Sequence, residues 1–347
     1  MADWAHEWTD ERIAELERKF EATYAQAAKE MREKLDSYLE GYGDRLDQWK
    51  ADVASGAATQ EQYDAWLKGQ SVQRKYIIDM TNALAEDAAN TDQLAADYIN
   101  DELPSVFTEN ANWTAFQIEK HYGTAHSFAL YDRDTVRRIM GMTEHDQIMH
   151  EVIPVGPPNT PLQSLRVHPE RVKDVKWNRQ KFTASIVQSI LQGESIPNTA
   201  KRLERVLNMD KGMATRAART AMTSAENAGR VDSYRRAVDM GLQVEQRWMA
   251  TLDLRTRQSH RELDKQHVPV GQYFVVPSNG HKLRFPADPA ADGSETWCCR
   301  CTLVAWFPDS VEDADRFSRL PKGMTYEDWK NMKEASDGRD EGGKADQ

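Results

Sequence analysis

One apolar stripe commits the start of this chain to long helices. Ile13, Leu16, Phe20, Tyr24, Ala27, Met31, Leu35, Tyr38, Tyr42, Leu46, Trp49 and Val53 take eleven steps to cover 40 residues. A period near 3.6 puts them on one helix face. Thr9, followed by Asp10 and Glu11, is the expected N-cap. Gly41 and Gly43 should interrupt the helix, and Ser55-Gly56 should turn the chain. Thr59 and Gln62 predict a capping box for a second helix, whose stripe runs through Trp66, Leu67, Ile77, Met80 and Leu84 towards Tyr98. A third helix is expected to start near Pro104, and a short one to follow Tyr131-Asp132-Arg133-Asp134-Thr135-Val136. Aromatic stripes at this spacing read as core rather than as a cofactor pocket.

These helices carry few apolar residues. The whole chain, 347 residues long, is 39% hydrophobic, against about 45–50% in typical domains. Its length suggests two or three domains, and its long helices are expected to be completed by partners or by other copies. No apolar run approaches the ~18 residues of a membrane span. The opening Met1-Ala2-Asp3-Trp4-Ala5-His6-Glu7 lacks the basic start and apolar stretch of a secretory signal. Neither a membrane protein nor a classical secreted one is expected.

Charge divides the chain. The net charge is -11, made of -15 over residues 1–160, +7 over 161–250 and -3 over 251–347. Four prolines in Pro154-Val155-Gly156-Pro157-Pro158-Asn159-Thr160-Pro161 mark a linker where the sign changes. Helices resume over Trp177–Gln192, end at Gly193, and restart at Pro197; Met213–Met240 reads as one basic helix. Strand-like runs follow at 243–249, 273–276, 283–285 and 302–306. The expected class is therefore α+β: an acidic helical arm (1–153), a Pro-rich linker (154–170), a basic helical segment (171–243), a small β-containing module (244–307) and an acidic helical or disordered tail (308–347).

The most individual stretch runs from Trp248 through Asp253, Arg255, Thr256, Arg257 and His260 to Asp264. Preceding it is Ala218-Arg219-Thr220. After it come Pro286-Ala287-Asp288-Pro289 and Cys299-Arg300-Cys301. That ordered set resembles the phage head morphogenesis family, also called the minor head protein or Mu F-like family, sharpest over 214–306. Three positions depart from the family pattern. Lys265 stands where members often carry glycine, so a backbone position that tolerates positive φ is expected to be lost or reshaped. Ala221 stands where some branches carry Glu, and Cys298 is an extra thiol. The resemblance implies a non-enzymatic virion component in the capsid interior near the portal, present in the host cytoplasm during assembly. Its implied partners are the portal protein, scaffolding or other capsid proteins, and packaged DNA without sequence preference. Its implied roles are procapsid assembly, DNA packaging or genome ejection.

Several chemistries remain open on the residues themselves. Cys299 and Cys301 point to one face of a strand, so with His260 and His267 they could hold a structural zinc; they could equally pack as reduced core thiols. Three cysteines within four positions exclude a disulfide scaffold. Asp253 could cap its turn while the neighbouring arginines pair with acids. A metal-dependent hydrolase or nuclease would use His260 as general base and Asp253, Glu262 or Asp264 on the metal. Arg216, Arg219, Arg230, Arg235 and Arg236 could touch DNA phosphates, contact an acidic partner, or simply form a solvated helix face. There is no Walker A loop, dinucleotide glycine fingerprint or His-Glu-x-x-His.

Overall fold

The computed structural model describes residues 3–39, 41–71, 74–140, 167, 171–308 and 318–341. Apart from Val167, the Pro-rich linker lies outside them. The chain forms two compact units, each assembled from separated segments. One comprises Met1–Ala14, Ile99–Val167 and Arg216–Gln347; the other comprises Glu15–Tyr98 and His168–Thr215. Three long helices, α1 (Trp4–Tyr38), α4 (Arg74–Tyr122) and α7 (Ile196–Asp239), each supply residues to both units.

Helix starts follow local chemistry, with two departures. Helix α1 begins before Thr9: Asp3 accepts the His6 N–H, and Thr9 lies buried inside the helix with its hydroxyl on the Ala5 carbonyl. Burial of Ala5 and Ile13 on the same face explains the earlier start. Pro104 sits inside α4 rather than at a helix start. Ile99, Leu103, Val106 and Phe107 keep one buried face across it, and that burial offsets the hydrogen bond the proline cannot donate. The expected capping box is present. Thr59 N donates to Gln62 Oε1 at 2.9 Å and Gln62 N to Thr59 Oγ1 at 3.2 Å, starting α3 (Gln60–Ser71). Gly41 and Gly56, both at positive φ, bound α2 (Tyr42–Ser55). Asp132 caps α5 (Arg133–Ile139).

In the second unit, α2, α3 and α6 (Arg171–Leu191) join segments of the three long helices. Tyr42, Trp49, Tyr63 and Trp66 form a stacked aromatic group. The same unit holds a cluster of acids, Asp92, Asp174 and Asp210. Asp210 is buried, and neither carboxylate oxygen has a hydrogen-bond partner among the described residues. Burial, with Asp92 and Asp174 nearby, pushes its pKa up to about 8. Burial likewise lifts Asp92 to about 6, against the bond it accepts from Tyr24 Oη at 2.6 Å. The folded state thus binds protons more tightly than the unfolded chain, so stability falls as pH rises from about 4 to about 8. Asp210→Asn keeps the shape and removes the charge. Thermal melts between pH 5 and 9 should show a markedly flatter decline for this variant, and a slope equal to wild type would refute the assignment.

The first unit holds the β structure. Strands β2 (Glu245–Met249), β3 (His267–Pro269) and β6 (Thr302–Trp306) form an antiparallel sheet of order β3-β2-β6, with Trp248 opposite Leu303. The edge strand β3 has no strand-like signature, because Pro269 is tolerated only at an edge. A hairpin pairs β4 (Phe274–Val275) with β5 (Lys282–Leu283). Two residues of β1 (Thr124–Ala125) pair with β7 (Ser318–Arg319). The expected tail is in part a packed helix, α10 (Tyr326–Glu341). Its Trp329 and Lys333 bond to the buried Glu119 of α4 at 2.6 and 2.8 Å. Among the described residues, no helix is long and apolar enough to cross a membrane.

Candidate metal centre and its supporting loops

Helix α7 turns a ladder of polar side chains towards the Cys-x-Cys segment. Thr220, Thr223, Asn227 and Arg230 recur every three or four residues, so they share one face. Thr220 Oγ1 accepts from Cys298 N at 3.0 Å, and Thr223 Oγ1 donates to Cys299 O at 3.0 Å. Asn227 accepts from Leu303 N at 2.9 Å, and Arg230 donates to Leu303 O at 2.9 Å. Glu226 accepts from the Thr302 hydroxyl at 2.5 Å. The backbone that carries the cysteines is thereby held at nearly every residue. Of these ladder residues, only Thr220 and Arg230 were singled out from sequence. The signal for the others was a polar stripe at helical spacing on a face that had to be buried.

His260 arrives from α8 (Gln258–Leu263), packed edge-on against Trp248. Its Nδ1 lies 3.5 Å from Cys299 Sγ and 3.4 Å from Cys301 Sγ. All three residues are at most 2% exposed, and their donor atoms lie within 4.8 Å of one another. On its other side, Nε2 is 3.3 Å from Glu295 Oε2. Glu295 belongs to α9 (Gly293–Thr296) and is buried. It accepts from Ser259 Oγ at 2.6 Å and Asn279 Nδ2 at 2.8 Å, and His281 Nδ1 lies 3.0 Å away. Burial opposes its ionisation, but these bonds outweigh it and hold its pKa below the usual value. The Cys299 thiol and His260 hold Cys301 down to about 5, whereas burial beside that charge pushes Cys299 well up. Glu295, Ser259, Asn279 and His281 carried no sequence signal, since nothing in their spacing ties them to His260.

His267 is not part of this group. It lies on β3, half-exposed, 2.6 Å from Glu245 and stacked on Trp306. The pleat and pairing of β2 with β3 place it opposite Arg247, so proximity in sequence to His260 did not become proximity in space.

The remaining motif residues fix loops. Arg300 grips Asp253 through two bonds of 2.6 and 2.7 Å, holding that carboxyl well below its ordinary pKa. Asp253 also caps Arg255 N at 2.8 Å and accepts from Thr256 Oγ1. Arg255 itself projects into solvent, and Arg257 donates to the Trp297 carbonyl. Asp264 accepts from Ala250 N at 3.0 Å. Asp288 is buried, accepting from Arg284 N and Nε at 3.1 and 2.9 Å. Glu262 is occupied by Ser278 N. None of these acids gathers with His260 into a hydrolytic metal group among the described residues. Lys265 adopts φ +66°, so the positive-φ position is kept rather than lost. Strand pairing imposes it: Lys265 N donates to Trp248 O and Trp248 N to Gln266 O, outweighing a strain of roughly 1–2 kcal/mol.

The basic helix is not an open phosphate track. Arg230 is buried among acids, because its guanidinium joins Asp3, Asn110 and Leu303 rather than solvent. Arg236 lies over the Tyr131 ring, 4.3 Å from its centre, and Arg235 lies near Asp232. Arg219 is half-buried near Asp10. Of the five, Arg216 is the exposed one.

A small polar cavity adjoins the three donors, lined by Thr251, Thr256, Arg257, Cys298 and Arg300 among others.

The family model described as "Phage Mu protein F like protein" matches residues 180–304. The chain is 23% identical over 336 residues to "Minor head protein GP7" of Bacillus phage SPP1, covering 95% of this chain and 96% of that protein. It is also 25% identical over 308 residues to "NAD(+)--arginine ADP-ribosyltransferase EFV" of Enterococcus faecalis, covering 82% of this chain. The chain spans 60% of that relative's length. No solved structure matches.

Proposed function

We propose that this chain is a Mu F-like phage minor head protein, a structural component of the capsid interior that docks on the portal. There it supports head assembly, DNA packaging or genome ejection. The observation that carries this reading is the end-to-end similarity to the minor head protein of phage SPP1, which spans nearly all of both chains. The fold supports it too. The motif residues spend their charges on loop geometry, as the Asp253–Arg300 and Asp288–Arg284 pairs do. Leu252, Leu254 and Trp297 are exposed and adjoin the cavity-lining Thr251, Arg255 and Cys298 in sequence, apolar side chains of the kind that partners cover.

Co-expression with the portal protein of its own phage tests the reading. The two should co-purify, and less so when Leu254 and Trp297 are both changed to serine. Failure to co-purify at any salt concentration would sink portal docking. Enzymatic action is not expected. The transferase name belongs to a protein of which this chain spans only part, and incubation with labelled NAD and an arginine-rich acceptor should transfer no label.

A further inference from the structure

One imidazole nitrogen facing two sulfurs is more than hydrogen bonding uses. A neutral histidine nitrogen offers a single lone pair or a single N–H, yet Nδ1 of His260 lies 3.5 Å from Cys299 Sγ and 3.4 Å from Cys301 Sγ at once. A tetrahedral zinc, with bonds of about 2.3 Å to sulfur and 2.0 Å to nitrogen, holds such donors about 3.5 Å apart. We propose that His260, Cys299 and Cys301 bind a zinc ion, its fourth position filled by water from the adjoining polar cavity.

The surroundings are those of a metal centre. Glu295 stands 3.3 Å from His260 Nε2. At that distance the carboxylate favours a proton on Nε2 through charge, without a hydrogen bond to it, and leaves the Nδ1 lone pair facing the sulfurs. Ser259, Asn279 and His281 hold Glu295 in turn. Cys301 N donates to Cys299 Sγ at 3.5 Å, a bond that a metal-bound sulfur would accept. Two thiolates and one imidazole favour zinc over calcium or magnesium, which seek oxygen. The ion would join α8 to the segment that leads into β6, about 40 positions apart in the chain. Cys298 is no ligand here: its backbone N–H is held by Thr220 at φ +55°, outside the Cys-x-Cys face. The inference does not depend on the head-protein reading.

The test uses the full chain without a histidine tag, expressed with added zinc and dialysed. Elemental analysis should find about one zinc per chain, and cobalt exchanged into the protein should show the absorption of a tetrahedral thiolate site. Cys299→Ser, Cys301→Ser and His260→Ala should each reduce the metal at least about tenfold, whereas Cys298→Ser should retain it. Wild-type protein that is folded, metal-free and silent with cobalt would overturn the proposal. Loss of zinc in Cys298→Ser would overturn this ligand set. If the ligand variants fail to fold, titrating wild-type thiols with a mercurial decides the matter: zinc should leave as two buried thiols react, and thiols that react without releasing zinc would refute the site.

Discussion

Arg230→Ala is expected to destabilise the unit containing the Mu F-like module by about 3–5 kcal/mol, the usual cost of stripping one partner from a buried charge group. Arg230 is 2% exposed. Its guanidinium bonds to Asp3 at 2.5 and 3.0 Å, to Asn110 at 3.1 Å and to the Leu303 carbonyl at 2.9 Å, with Glu226 3.4 Å away. One side chain therefore ties the start of α1, the middle of α4, the face of α7 and strand β6. Removing it leaves Asp3 without its main counter-charge and Glu226 with His6 as its remaining one, in a low-dielectric interior. Lysine should not rescue the loss, because a single ammonium cannot reproduce the planar fork. Urea denaturation measures this directly, and a loss below about 1 kcal/mol would show that the network is not a structural hub.

The same network has a pH signature. Burial works against protonation of His6, but Glu226, 2.9 Å away, overrides it and lifts the pKa to about 9. His6 thus contributes stability that is full below its unfolded pKa near 6.5 and lost as pH rises through about 9. This slope has the same sign as that of Asp210, so the comparison of variants, rather than the wild-type slope, identifies each group.

Gly229→Ala should also destabilise, by about 1–3 kcal/mol as overpacking typically does, and a larger residue should cost more. A Cβ at this position would lie 2.4 Å from the Phe107 carbonyl oxygen and 3.2 Å from Ala111 N. Both obstacles are backbone, so no rotamer change relieves them. Helices α4 and α7 would have to part, breaking the Ser233 hydroxyl bond to Ala111 O at 2.7 Å and loosening the face that holds the cysteines. Helix propensity alone argues the reverse, since alanine in a helix interior gains about 1 kcal/mol over glycine. The sign of the measured change therefore decides between local and tertiary control. A stabilised alanine variant would disprove the close approach.

Local chemistry was legible wherever neighbours in sequence supply the partner. The Thr59–Gln62 box and the Asp253 turn are examples, as is the 3.6-residue stripe through Leu16, Phe20 and Leu35. The family signature was legible for the same reason: it is an ordered string of residues. Local rules misled where distant burial outweighed them. Pro104 did not start a helix, Thr9 did not cap one, and Lys265 took a conformation that glycine prefers.

By itself, then, the sequence determined long amphipathic helices, an α+β class and a Mu F-like signature closing at Cys299-Arg300-Cys301, because periodicity and short-range hydrogen bonding are written along the chain. Only the tertiary structure decided that His260 rather than His267 meets those cysteines. Only it could show that Glu295 stands behind that imidazole, and that Arg230 is an interior hub rather than a surface cation. Each depends on contacts across dozens to hundreds of positions, where strand register and helix packing set distance and sequence spacing does not.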